Sequence, residues 1–175
     1  LATPDAVMRL SLNSRVLWME YNERMQYFMD RSLETINATR TWDAKVIEEG
    51  GTEYPGIDGT GVTAVVLDSG IDAGHPDLDY GTKTIMNLKS DSDLVWVEME
   101  NTDTSSGHGT HCAGTVGGLG SASGGARAGV ARGANLIGLS TGEAVAILNA
   151  LGALEWVYQH SRPGANPYNI RVVSN

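Results

Sequence analysis

The run Val62-Thr63-Ala64-Val65-Val66-Leu67 is nearly all apolar and rich in β-branched residues, and it ends abruptly on Asp68-Ser69-Gly70. Apolar and polar residues do not alternate along it. A strand of that kind must be covered on both faces, and such strands occur in parallel sheets sandwiched between helices. The rest of the chain fits this demand. Residues 108–117 read as a helix, Asn135 to Leu139 as a short strand, residues 143–160 as a long apolar helix and Ile170 to Ser174 as a strand. Strand, helix, strand, helix, strand is an α/β pattern with parallel pairing. Ser140 and Glu143 have the spacing of a capping box for the long helix, and His160 near its end suits the helix dipole.

The N-terminal third is less regular. Residues 4–13 read as a short amphipathic helix with Pro4 at an early position. Val16 to Tyr21 reads as a strand, residues 22–31 as an aperiodic charged linker, residues 32–47 as a helix and residues 48–61 as turns. Residues 119–129, with Gly120, Gly124, Gly125 and Gly129, read as a flexible loop.

Composition removes several function classes. A single Cys in 175 residues forms no internal disulfide and no structural zinc finger. A net charge of −9 argues against nucleic-acid binding, which needs a basic face. No apolar run approaches the roughly 20 residues that span a bilayer. The chain opens on Leu1 and stops at Asn175 at the end of its last strand, so both ends are expected to lie inside a longer polypeptide. The charge is concentrated: residues 41–107 hold three Lys against fourteen Asp and Glu, a net of −11. That block is either a solvated acidic face or the seat of a catalytic or cation-binding carboxylate.

Asp68 stands at the carboxyl end of the buried strand, where open α/β sheets form their sites. His108 lies in Ser106-Gly107-His108-Gly109-Thr110-His111, and its flanking glycines let the backbone approach other groups and leave the ring accessible. An acid that orients an imidazole is the general-base half of a nucleophilic triad. A His/Asp metallohydrolase is the alternative. His108 and His111 are three apart and could share a helix face, with Asp68, Asp72, His75 and Asp77 as further ligands. Cys112 reads as a small buried hydrophobe, with a nucleophilic thiol as the alternative, poorly placed for in-line attack beside the His pair. Trp18, Trp42, Trp96 and Trp156 read as packing residues, and Asn37-Ala38-Thr39 is a glycosylation sequon.

Two segments carry a resemblance. Val65-Val66-Leu67-Asp68-Ser69-Gly70-Ile71-Asp72, followed by His75-Pro76-Asp77-Leu78, resembles the aspartate motif of subtilisin-like serine proteases. Gly107-His108-Gly109-Thr110-His111-Cys112-Ala113-Gly114-Thr115 resembles their histidine motif, with the Cys of the proteinase K branch. Gly129-Val130-Ala131 resembles the segment after the family's calcium loop. The resemblance spans residues 32–175. It implies a truncated three-layer fold, a parallel sheet with helices on both faces. It implies Asp68 as triad acid, His108 as general base and Asp77 as a calcium ligand, although Ser121 replaces the usual Asn of that loop. The family's Gly-Thr-Ser-x-Ala nucleophile motif does not occur in the chain. The resemblance thus implies a secreted endopeptidase acting on protein or peptide substrates, present here as a fragment inactive alone. Residues 1–25 would be the C-terminal part of an inhibitory propeptide, cut within 22–32, and residues 26–175 the N-terminal half of the peptidase domain. A relative that kept Asp68 and His108 as a non-catalytic binding module is the alternative from another class.

Overall fold

The computed structural model describes residues 3–19, 29–43, 46–47, 53–54, 56–90, 95–142 and 147–175. Helix α1 (Pro4–Ser11) begins where expected. The Thr3 hydroxyl accepts the Ala6 N–H, and Asp5 and Arg9 lie at the ends of the helix that favour their charges. None of its residues is buried. The strand expected at Val16–Tyr21 is not formed over residues 16–19, and residues 20–21 lie outside the described residues. A strand needs a neighbour for its backbone groups, and among the described residues no strand pairs with this segment, whose Leu17 and Trp18 stand exposed. Trp18, 80% exposed, is therefore not part of the core.

The helix expected over residues 32–47 is two helices, α2 (Met29–Thr35) and α3 (Ala38–Asp43). Asn37 breaks it with φ of 58°, a left-handed turn that Asn tolerates better than most residues. The break lets Leu33 and Ala38 both be buried. Trp42 then anchors the segment: its indole N–H donates to the Val130 carbonyl at 2.9 Å, and the Arg132 guanidinium lies 4.3 Å over its ring. Strands β1 (Val46–Ile47) and β2 (Glu53–Tyr54) form an antiparallel pair where a helix end and turns were expected.

The main sheet holds β3 (Thr63–Asp68), β4 (Thr84–Ser90), β5 (Trp96–Glu98), β6 (Asn135–Ser140) and β7 (Ile170–Ser174), in the order β5-β4-β6-β3-β7. Pairing is parallel except at the edge, where β5 runs antiparallel to β4. Helix α4 (His108–Gly117) joins the β3–β5 segment to β6, and α5 (Ile147–Ser161) joins β6 to β7. Residues 143–146, the expected start of the last helix, lie outside the described residues. Ser140 ends β6 and donates its hydroxyl to the Ser69 carbonyl at 2.7 Å, and the expected capping partner Glu143 lies outside the described residues.

Side chains of β3 alternate between two cores. Val65 and Leu67 pack with Ile137, Leu139 and the α5 residues Ala153 and Val157, with Trp96 and Trp156 against the cluster. Ala64 and Val66 pack with Ile71, Leu78, Leu136 and Ala113 of α4. This is the three-layer α/β arrangement that an unalternating strand requires. Burying each of Val65, Val66 and Leu67 contributes about 1.5–3 kcal/mol. The glycine-rich loop at 119–129 is pinned at several points. Leu119 and Ala122 donate N–H groups to Asp77, and Gly129 donates to the Gly118 carbonyl. Among the described residues, no helix is long and apolar enough to cross a membrane.

Candidate active site

Asp68 is the last residue of β3, and the neighbouring strand holds its backbone. The Thr141 N–H, just past the end of β6, donates to the Asp68 carbonyl at 3.0 Å. His108 is the first residue of α4. Gly107 before it has φ of 73°, which glycine adopts without strain. Gly109 after it lets the helix meet the strand end, because a Cβ there would lie 2.2 Å from the Gly70 carbonyl oxygen and 3.0 Å from Asp68 Cβ.

These constraints place His108 Nδ1 2.7 Å from Asp68 Oδ1. The same carboxylate oxygen accepts the Ser69 N–H at 2.7 Å. The Asp68 side chain is 17% exposed and that of His108 is 70% exposed, so the acid is tucked in and the ring opens outward. Burial pushes the Asp68 carboxyl up, but hydrogen bonds from His108 and Ser69 together hold it below the usual carboxylate value. The hydrogen bond to Asp68, then the charge of Asp68, raises His108 above an ordinary imidazole. An ionised carboxylate only accepts, so neutral His108 carries its proton on Nδ1 and leaves Nε2 free to take one. A cleft of about 340 Å³ opens in front of the pair, bounded by Ser106, Thr141, Gly142 and Asn175.

Cys112 sits one helical turn after His108, with Sγ 3.7 Å from Nδ1. It packs against the α4-side core, and burial followed by the nearby Asp68 charge pushes its thiol up. That favours the neutral thiol, in keeping with the expected hydrophobe.

The metal alternative would draw its ligands from six side chains, with His108 and His111 as the pair on one helix face. They separate instead. Asp68 and His108 face one cleft, whereas His75, Asp77 and His111 line another of about 280 Å³ together with Arg127. Among the described residues, the one group of three potential ligand atoms close together is Asp68, His108 and Cys112. Asp72 turns to local bonds: its N–H donates to Thr110 Oγ1 and its carboxylate accepts the Gly74 N–H.

Calcium at Asp77 would need about six to eight converging oxygens. The loop offers Asp77 the opposite polarity. Asp77 Oδ1 accepts the Ala122 N–H at 2.8 Å, and the Asp77 carbonyl accepts the Leu119 N–H at 2.9 Å. Ala122 lies in a 3-10 turn over Ser121–Ser123, between left-handed Gly120 and Gly124. In this arrangement the residues do not fit the ion.

Sequence reasoning missed Asp103. This residue is 7% exposed and accepts hydrogen bonds from Ser69, Gly107 and Thr110. It lies four residues before the Gly107 cap, outside the capping position that a sequence pattern would mark.

Comparison with known proteins identifies the family. Subtilisin-like protease 6 of Trichophyton soudanense is 35% identical over 129 residues, covering 67% of this chain and 26% of that protein. Serine protease AprX of Bacillus subtilis (strain 168) is 32% identical over 183 residues, covering 98% of this chain and 36% of that protein. A crystal structure of a cold adapted subtilisin-like serine proteinase superposes with a TM-score of 0.42 at 26% identity, covering 69% of this chain and 40% of that one. The chain thus spans about a quarter to a third of the length of the curated relatives it matches. The sequence model of the Subtilase family matches residues 59–175, which take in Asp68, His108 and every strand of the main sheet. The chain belongs to the subtilase family of serine proteases.

Proposed function

We propose that this chain is the N-terminal half of the catalytic domain of a secreted serine endopeptidase, with Asp68 as triad acid and His108 as general base. The 2.7 Å Asp68–His108 hydrogen bond at the carboxyl end of a central strand, with the outer ring edge open to a cleft, carries this reading. A serine supplied by polypeptide beyond Asn175 would attack the carbonyl of a peptide bond. His108 Nε2 takes the serine proton as the C–O bond forms, and Asp68 stabilises the imidazolium. The proton then passes to the leaving amine as the C–N bond breaks. Water, activated by the same imidazole, hydrolyses the acyl-serine. The substrates are proteins or peptides.

Residues 1–25 act in this reading as the end of an inhibitory propeptide, removed by a cut within 22–32, with residues 26–175 remaining in the peptidase. Support comes from α1, an amphipathic helix with no buried residue, and from exposed Leu12, Leu17 and Trp18 after it. Apolar side chains so presented suit a segment that docks on another surface.

A fluorophosphonate probe tests the central claim. In the full-length polypeptide it is expected to label one serine outside residues 1–175. A label mapping to a serine within 1–175, or no labelling of the folded, processed polypeptide, would overturn the reading; absence of both labelling and proteolysis favours the non-catalytic binding module.

The Asp77 loop is held by hydrogen bonds in place of a calcium ion. Chelation of the full-length polypeptide is therefore expected to shift the melting temperature of wild type and of Asp77→Asn equally. A chelator-induced fall that Asp77→Asn abolishes would restore calcium at this position.

A further inference from the structure

Helix α4 has an unusual start. Gly107 caps it without a side chain, and of the free N–H groups of the first turn the Ser106 hydroxyl meets only that of His108, at 3.3 Å. Asp103 meets others from outside the helix. Its Oδ1 accepts the Gly107 N–H at 3.1 Å, and its Oδ2 accepts the Thr110 N–H at 3.1 Å and the Thr110 hydroxyl at 2.6 Å. The Ser69 hydroxyl donates to Oδ1 at 3.3 Å and itself accepts the Gly109 N–H at 2.9 Å. The Thr110 hydroxyl in turn accepts the Asp72 N–H at 2.9 Å.

The result is a bracket around His108. The residues on either side of it, Gly107 and Gly109, are tied to Asp103 directly or through Ser69. Ser69 is the residue after Asp68, and its own N–H donates to Asp68 Oδ1. One buried carboxylate therefore fixes the base's helix and the acid's strand end against each other. We propose that Asp103 is a positioning residue of the Asp68–His108 pair, holding the first turn of α4 to the end of β3 so that the two catalytic side chains keep their separation. This rests on the peptidase reading above.

Charge supports the same role. Burial would push the Asp103 carboxyl up, but bonds from Thr110, Gly107 and Ser69 hold it below the ordinary value, so it stays ionised. A negative charge there favours the positive end of α4. His108 is thus faced by Asp68 directly, by Cys112 one turn along the helix and by Asp103 behind its first turn. Asp103 adds to the rise in His108 basicity, after the larger contributions of Asp68.

Asp103→Asn in the full-length polypeptide tests this. The amide keeps the shape, but it loses the charge and cannot accept all four bonds. The expected result is a fall in kcat of up to about 10²-fold with KM little changed, the size of effect that small misplacements produce. The His108 titration, followed by NMR, should move to lower pH. Ser69→Ala, which removes the Ser69 link alone, should shift both readouts in the same direction by less. If Asp103→Asn does not fold, Ser69→Ala decides the matter. Folded variants with wild-type kcat and an unmoved His108 titration would overturn the proposal, even with lowered melting temperatures. His108→Ala separates the two levels: if it leaves proteolysis intact, the peptidase reading fails first.

Discussion

Replacing His108 by Ala in the full-length polypeptide is expected to lower kcat by on the order of 10⁶-fold, the loss measured when the base of such a triad is removed. The remaining activity would come from binding and oxyanion stabilisation, which need no base. Folding should be almost unaffected, because the His108 side chain is 70% exposed and its partner keeps the Ser69 N–H. Steady-state kinetics and a melting curve check both halves. A loss below tenfold would remove His108 from the mechanism. The pH profile of the wild type has a defined sign. Activity needs the neutral ring, so it falls as acid protonates His108. The hydrogen bond and charge of Asp68 raise that proton affinity, so the acidic limb should lie above the roughly 6.5 of a free imidazole. The same bond stabilises the fold fully between the ordinary carboxylate value and the ordinary imidazole value. That stabilisation is lost as pH rises through the raised value of His108 or falls through the lowered value of Asp68.

Gly109→Ala is expected to destabilise the protein by about 3 kcal/mol or more, whereas Gly114→Ala in the same helix should stabilise it by about 0.5–1 kcal/mol. Helix propensity alone gives both substitutions the same favourable sign. The surroundings reverse one of them. A Cβ on Gly109 would lie 2.2 Å from the Gly70 carbonyl oxygen and 2.8 Å from the Gly70 nitrogen. These are backbone atoms of the chain leaving β3, so relief requires α4 to move away from the strand. A Cβ on Gly114 meets nothing within 4 Å. Denaturant titration of the two variants measures the difference. Equal effects would show that α4 can shift on β3 without cost, which would also undercut the need for a bracket at its start.

The central layer was legible because its residues have few alternatives. Six nearly continuous apolar residues before Asp68 fit a strand covered on both faces, and α4, α5, β6 and β7 followed from pattern and punctuation. Strand β4 was not legible. Its buried face includes Thr84 and Asn87, and polar residues normally argue against burial. They are buried because each is bonded: Asn87 donates to the Ile71 and Glu100 carbonyls, and Thr84 donates to the Leu78 carbonyl. No local pattern announces partners that lie 6 to 16 residues away. Val16–Tyr21 failed for the converse reason, since strand-like composition cannot supply a neighbouring strand. The break at Asn37 turned on one residue's tolerance of the left-handed region, which outweighed helical periodicity on both sides. At the site, Asp68 and His108 stood out because glycines and motif spacing surround them. Asp103 did not, because its value lies in four bonds made on folding.

The bracket joining β3, Asp103 and α4 also bears on the order of assembly. Its members lie between Asp68 and Thr110, and the backing strand β6 ends at Ser140. The contacts that close it span up to 40 residues, and closure cost grows only slowly with loop length, so the bracket does not depend on segments after Ser140. In a protein made from its N-terminus, the acid and base can reach their working separation while later segments are still being synthesised. A nucleophile arriving from downstream would then meet a proton acceptor already in place, and the onset of activity would be timed by the last part of the fold to form.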